Sequence, residues 1–419
     1  MVRTQALILV LFAALFPRGL RADSDLVLTY LERYHRIPEK DVASRLELAE
    51  WCAANRLQDQ RASLLTEVLK LQPDHPVAYR ELLDADAHRI RAVDRDWARK
   101  LESLLGPGFR LHHSSHFTIL TDAEDDAATS LAETLEDVYR TFYRQLPAIG
   151  LRPMPPPGRL VCLLFEKYDD YRDFLRRFEG INNDWIAGQY SWRTNRASFF
   201  NDKDNPIFKD VREKLASLDT QLARLRIELE TTAPTEIATR LRIQSQTRQA
   251  SALRADMTSR LAYAAKTSTL SKTRHEAAHQ LLYNSGIQKR GRPYPFWLNE
   301  GLATNFEPPA SEGKSGPQLS NPFRLKTYQD LEKEGKLLPL AELIAYRPGQ
   351  ADEAVEVAGR YAQAWALVHY LWTQRSEQFK EYMEAIDKSE KPDSADLFKA
   401  GFGDPAALES KIRQSSQQN

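Results

Sequence analysis

Cysteine is almost missing from this chain: 419 residues carry only Cys52 and Cys162. Two thiols so far apart exclude a cysteine-based zinc site. They fall in segments of different texture, Cys52 at a helix-core position and Cys162 in an apolar strand, so two buried free thiols are expected rather than a disulfide. Net charge is missing too, with 58 Lys and Arg against 58 Asp and Glu. No global field then favours nucleic acid or an anionic membrane, and no basic run interleaved with aromatics appears. The apolar run Ala6–Phe16 has eleven residues, too short to span a bilayer comfortably. Hydrophobic residues at 42% and charged residues at 28% are ordinary for a soluble globular protein.

That apolar run follows a basic start at Arg3 and is broken by Pro17, with Leu20-Arg21-Ala22 as a cleavage site. The pattern predicts a signal peptide over 1–22, no transmembrane span after its removal, and an exported protein, periplasmic or secreted. An uncleaved anchor is the plain alternative.

Residues 23–107 read as helical. "VASRLELAEWCAANRL" and "QRASLLTEVLKLQPDHPVAYRELLDA" space their apolar residues three and four apart, and the pair resembles a degenerate tetratricopeptide unit. "GPG" at 106–108 marks a boundary. Over 108–206 the texture changes. "HFTILTD" alternates like a strand, "GRLVCLLFE" is the near-continuous run of a strand buried on both faces, and "AGQYSWRTNRASFFND" reads as a hairpin turning near Thr194-Asn195. The expected fold class is α+β: a mixed sheet with helices packed on it, a helical C-terminal half, and the N-terminal helical pair in front. Residues 207–268 read as an inserted antiparallel helical hairpin, with a coiled-coil seam at Val211, Leu215, Leu218, Leu222, Leu225 and Leu229. This hairpin is structural decoration, or a lid or docking arm. Residues 269–405 hold a further helical part, and 406–419 a tail that frays. The N-terminal helices and the hairpin are the surfaces open to a protein partner.

The chemistry concentrates in "RHEAAHQLLYNSGIQKRGRPYPFWLNEGLATNFE", residues 274–307. His275 and His279 are four apart, so on a helix they present two imidazoles to one point. Neutral imidazoles at this spacing suit zinc, and Glu276, about 100° round the helix, flanks the point as the group that takes a proton from an activated water. Two ligands leave zinc short, so a third must come from elsewhere. Gly286 and the turn-forming "KRGRPYP" let the chain reverse, and Pro295 opens a second short helix carrying Glu300.

"HEAAH" followed by "WLNEGLA" resembles the gluzincin metallopeptidases, whose third ligand is a glutamate on the next helix. The second motif is similar to the "WLNEGFA" of zinc aminopeptidases. Uncharacterised bacterial proteins described as peptidase-MA-like are similar over about residues 108–400, through "HFTILTD", the paired motifs and "YAQAWALVHYL", with the hairpin as a departure. The resemblance implies a zincin-like sheet beneath an active-site helix. It also implies one Zn2+ per chain on His275, His279 and Glu300, Glu276 as general base, and a peptide or protein substrate. In the similar aminopeptidases a tyrosine some sixty residues past the glutamate stabilises the oxyanion. Tyr361 stands sixty-one past Glu300, with Tyr346 and Tyr370 as rivals and a helix-core aromatic as the plain reading.

Ligand imidazoles need partners that orient them. Thr304 and Glu307, four and seven residues past Glu300, are the candidates. The acid usual in gluzincins at the plus-four position is Thr304 here. The aminopeptidases' Gly-x-Met-Glu-Asn loop does not occur, and "AGQYSWRTNRASFF" stands where an edge strand passes above the metal. Both points favour an endopeptidase, or an unusual exopeptidase, over a standard aminopeptidase. "HHSSH" (112–116) suggests a second metal site only weakly, because neighbours on a strand point to opposite faces. The alternatives are a zincin-fold binding protein acting through its helical segments, and zinc-dependent hydrolysis of another bond.

Overall fold

The computed structural model describes residues 18–419 except 74, 90–100, 102, 104, 107, 183–185, 310, 312–315, 350–353 and 419. The apolar run read as a leader therefore lies outside the described residues. The chain forms two compact units, residues 1–92 and 93–419.

The first unit contains α1 (Arg18–Tyr34), α2 (Val42–Ala54), α3 (Gln58–Leu71) and α4 (Pro76–Ala87). Helix α1 begins within the expected cleavage region. Asp41 starts α2 by accepting from the Ser44 amide, and His75 starts α4 by accepting from the Ala78 amide; each satisfies an amide that the helix leaves orphaned. Leu48, Ala49, Cys52, Leu64, Leu65, Val68 and Leu82 are buried together. Two partly covered ion pairs, Arg45–Glu67 at 2.9 Å and Arg61–Asp84 at 2.7 Å, tie helix to helix.

The second unit is built on a five-stranded mixed sheet: β1 (Arg110–His113), β2 (Phe117–Thr121), β3 (Leu160–Phe165), β4 (Gln189–Ser191) and β5 (Arg196–Phe200) in the order β1-β2-β3-β5-β4. β2, β3 and β5 run parallel, while β1 and β4 close the two edges antiparallel. β3 is central, which is why Leu-Val-Cys-Leu-Leu-Phe carries no polar residue. Leu163 and Phe165 face one way, into a cluster with Leu120, Phe200 and the rings of Tyr168, Tyr171 and Phe174 from α6 (Tyr168–Phe174). Cys162 faces the other way, its thiol donating to Gln280 Oε1 at 3.6 Å. Both cysteines are buried and free. The turn between β4 and β5 places Asn195 at φ 55°, a left-handed conformation that asparagine tolerates. The amphipathic α5 (Asp125–Ala148) joins β2 to β3.

The hairpin consists of α7 (Lys209–Thr231) and α8 (Ile237–Asn284). Along α7, Leu218 and Leu225 are buried, while Val211, Leu215, Leu222 and Leu229 are half-buried; Ile243 and Ala250 are their buried counterparts on α8. The returning helix does not stop near 268. It runs through 48 residues, about 72 Å at the α-helical rise, because "AYAAKTSTLSKTR" (262–274) holds neither glycine nor proline. The root of the arm is pinned where Lys272 Nζ meets Asp202 Oδ2 and the Phe200 carbonyl, both at 2.8 Å, and where Thr269 donates to Asp202. Gly286 at φ +82° then ends the helix with a turn that favours glycine.

Helices α9 (Phe296–Asn305), α10 (Pro322–Lys333), α11 (Leu340–Ala345), α12 (Ala354–Gln374), α13 (Ser376–Lys388), α14 (Ala395–Phe402) and α15 (Pro405–Gln418) complete the unit. Trp297 on α9 is fully buried among Tyr382, Phe398 and Phe402. α9 crosses α12 at Gly301, where a Cβ would lie 2.5 Å from Val368 Cγ2 and 2.6 Å from the Ala364 carbonyl oxygen. No described helix is long and apolar enough to cross a membrane.

Candidate metal centre

The last turns of α8 cross the Cys162 face of the sheet, where Gln280 also bonds the Val161 carbonyl at 2.9 Å. That anchor fixes the roll of the helix and turns His275 and His279 away from the strands. Their ring centroids are 4.8 Å apart and their Nε2 atoms 3.2 Å. Helix α9 brings Glu300 Oε2 to 3.1 Å from His275 Nε2 and 3.3 Å from His279 Nε2, while Asn299 Nδ2 holds the other carboxylate oxygen at 2.9 Å. Both imidazoles are buried. The three groups can hold a metal ion, with donor atoms all within 4.8 Å of one another, and they are the one such group among the described residues.

Glu276 sits beside this triangle. Its Oε2 accepts from the Tyr190 amide of β4 at 2.7 Å. Gly188 presses against its stem, so that a Cβ there would lie 3.0 Å from Glu276 Cγ. On the outer side of His275, Nδ1 meets Glu307 Oε1 at 3.1 Å. Arg324 fastens Glu307 with Nε on Oε2 at 3.0 Å and Nη2 on Oε1 at 2.6 Å, and Asn321 Nδ2 adds a third bond at 2.7 Å.

Charge in the pocket is strongly perturbed. Burial pushes His275 down, but its hydrogen bonds to Glu300 and Glu307 outweigh that and raise it to about 10. Burial favours a neutral Glu300, yet the His279 and His275 imidazoles hold it well below the usual carboxylate range. Burial acts likewise on Glu307, and Arg324 with His275 brings it down to about 2. Glu276 goes the other way: burial raises it, beyond what the two imidazoles take back. Glu300 and Glu307 are the carboxylates held ionised here, against the Arg324 guanidinium and the His275 imidazole, as buried charge is tolerated only when paired.

Of the three tyrosines, Tyr361 alone reaches the site. Its ring lies 5.7 Å from that of His275 and 5.4 Å from Phe296. Burial and the neighbouring Glu300 and Glu276 raise its hydroxyl well above the ordinary tyrosine value. Tyr346 instead meets Phe296 edge-on at 4.9 Å beneath the Arg360 guanidinium, and Tyr370 is half-exposed further along α12.

Thr304 does not reach an imidazole, contrary to expectation. Its hydroxyl donates back to the Glu300 and Gly301 carbonyls at 2.8 and 3.0 Å, the habit of threonine inside a helix. Glu307 lies past the end of α9 rather than on its face, and reaches His275 from the following turn. His116 of the "HHSSH" cluster pairs with Glu136 at 2.6 Å and stacks on Tyr139. His369 stacks on Trp365, and burial lowers it to about 4. Sequence reasoning missed the Tyr190 amide, Asn299, Asn321 and Arg324. Only the helix-opening Asn321-Pro322 left a local signal.

A family model described as a protein of unknown function (DUF1570) matches residues 269–393. That span takes in both histidines, Glu276, Glu300, Glu307, Arg324 and Tyr361. No curated protein matches the chain.

Proposed function

We propose that the protein is an exported zinc metallopeptidase of gluzincin type, acting as an endopeptidase on peptide or protein substrates. The observation that carries this reading is the donor triangle. Its edges of 3.2, 3.1 and 3.3 Å agree with the about 3.3 Å between donors of a tetrahedral zinc with bonds of about 2.0 Å. Two histidines and one carboxylate leave a fourth position open, the composition of a catalytic rather than a structural site.

Zinc, when bound by His275, His279 and Glu300, supplies Lewis acidity that acidifies water and polarises a carbonyl. The protein's own groups do the rest. Glu276, held by the Tyr190 amide, accepts the proton of the attacking water as its oxygen bonds to the scissile carbon. It passes that proton to the amide nitrogen as the carbon–nitrogen bond breaks. The Tyr361 hydroxyl donates to the developing oxyanion.

Glu276→Gln tests the reading. The variant should keep its metal and lose turnover of a casein-type substrate by a factor of about 100 or more; full activity refutes it. A second reading, a binding protein of the same fold, draws on the exposed Ile237, Leu241 and Tyr263 along the arm. Metal-replete protein without hydrolysis of any peptide in a library favours that reading.

A further inference from the structure

The unusual feature of the pocket is where the partner of His275 stands. A carboxylate four residues past Glu300 would sit on α9, its backbone fixed by the helix. That position is Thr304, whose hydroxyl is spent on the helix's own carbonyls. Glu307 takes over from beyond Asn305, the last residue of α9. An off-helix carboxylate is not held by local geometry and needs an external holder.

We infer that Arg324 and Asn321, at the start of α10, are positioning residues that set the metal affinity of the centre by holding Glu307 against His275. The inference rests on the metal site proposed above. The Arg324 fork makes two parallel bonds, to Oε1 at 2.6 Å and Oε2 at 3.0 Å. This bidentate arrangement fixes the carboxylate plane as well as its position. Asn321 both opens α10, accepting from the Arg324 amide at 3.2 Å, and donates to Glu307 Oε2 at 2.7 Å. Its cap thus presents Arg324 and holds the carboxylate at once. The turn carrying Glu307 is tied down from the other side. Arg274, adjacent to His275, donates through Nε to the Phe306 carbonyl at 3.0 Å and through Nη1 to Asp137 Oδ2 at 2.5 Å. Glu307 Oε1 therefore meets His275 Nδ1 in one orientation, which makes Nδ1 the donor to the carboxylate and turns Nε2 toward the triangle. Zinc-bound imidazoles depend on such an outer partner for tautomer and ring orientation.

A geometric clamp differs from a fold-stabilising ion pair in what its loss does. The test is Zn2+ affinity of the full chain, measured by competition with a chelating dye, for wild type, Arg324→Met, Arg324→Lys, Glu307→Ala and the Arg324→Met/Glu307→Ala pair. Circular dichroism and thermal unfolding without metal report the fold. Arg324→Met and Glu307→Ala should each weaken Zn2+ binding by about ten-fold or more. Lysine, a point charge without the fork, should restore only part of the loss. The double variant should bind no more weakly than Glu307→Ala alone, because a holder with nothing to hold adds nothing. Wild-type affinity in Arg324→Met, or losses that multiply in the double variant, overturns the clamp. If Arg324→Met fails to fold, Arg324→Lys decides, and full wild-type affinity there overturns it. A wild-type chain that takes up no Zn2+ overturns the metal site itself and the clamp with it, an outcome distinct from equal binding by all five proteins.

Discussion

Gly301→Ala tests how closely α9 and α12 must approach. An added methyl at 301 meets Val368 Cγ2 at 2.5 Å and the Ala364 carbonyl oxygen at 2.6 Å, about 1 Å inside ordinary contact. The valine can rotate away, but the carbonyl belongs to the backbone of α12, so the helices themselves must separate. Overpacking of this kind costs about 1–3 kcal/mol. Against it stands the gain of about 1 kcal/mol from replacing a mid-helix glycine with alanine. The steric term is the larger, so the variant should unfold at a lower temperature. The displacement also has a functional direction. Glu300 precedes Gly301 on α9, and Tyr361 rides on α12, so separating the helices by most of 1 Å shifts Tyr361 relative to Glu300 and His275. Misplacement on that scale can lower turnover by about 100-fold. Calorimetric unfolding of the metal-loaded protein and peptide hydrolysis read the two effects. An unchanged or raised unfolding temperature would show that helix propensity outweighs the crossing and refute the reasoning.

Further expectations follow from the same contacts. Gly188→Ala pushes on Glu276 Cγ from 3.0 Å. It should slow hydrolysis while metal content stays at the wild-type value; unaltered kcat counts against a tightly held base. Tyr361→Phe removes only a hydroxyl and should lower kcat by about 100-fold or more with metal retained. A change confined to KM would instead make it a binding contact. Away from the site, burial raises the Glu136 carboxyl, but His116 and Ser114 outweigh it and leave Glu136 below its ordinary value. A depressed carboxylate stabilises the fold above its unfolded-state pKa, and that stability drains as pH falls through the folded value. Glu136→Gln should therefore lose stability at neutral pH and converge on the wild type in acid. Parallel unfolding curves at every pH would exclude that linkage.

What the sequence announced and what it hid divide along physical lines. The two imidazoles were legible because a four-residue step on a helix puts side chains on one face whatever surrounds it, and Gly286 and Pro295 marked the reversal that returns Glu300. Central β3 was legible from its unbroken apolar run. The strand order was not, since nothing local in "RASFF" says that it lies beside β3 rather than at an edge. The length of α8 stayed hidden because its polar middle carries no apolar stripe, and helix continuity there rests on the lack of a breaker. Thr304 was misplaced because its hydroxyl prefers its own helix. The Tyr190 amide that holds Glu276 has no side-chain signature at all. Arg324 and Glu307 are seventeen residues apart, across a Pro- and Gly-containing loop whose path only the folded chain defines.

The most direct measurement is elemental analysis of the purified protein beside its His279→Ala variant. Three donors converging on one ion predict about one zinc per wild-type chain and almost none in the variant. Wild-type chains without metal under zinc-replete conditions, or equal zinc in both proteins, would contradict the account.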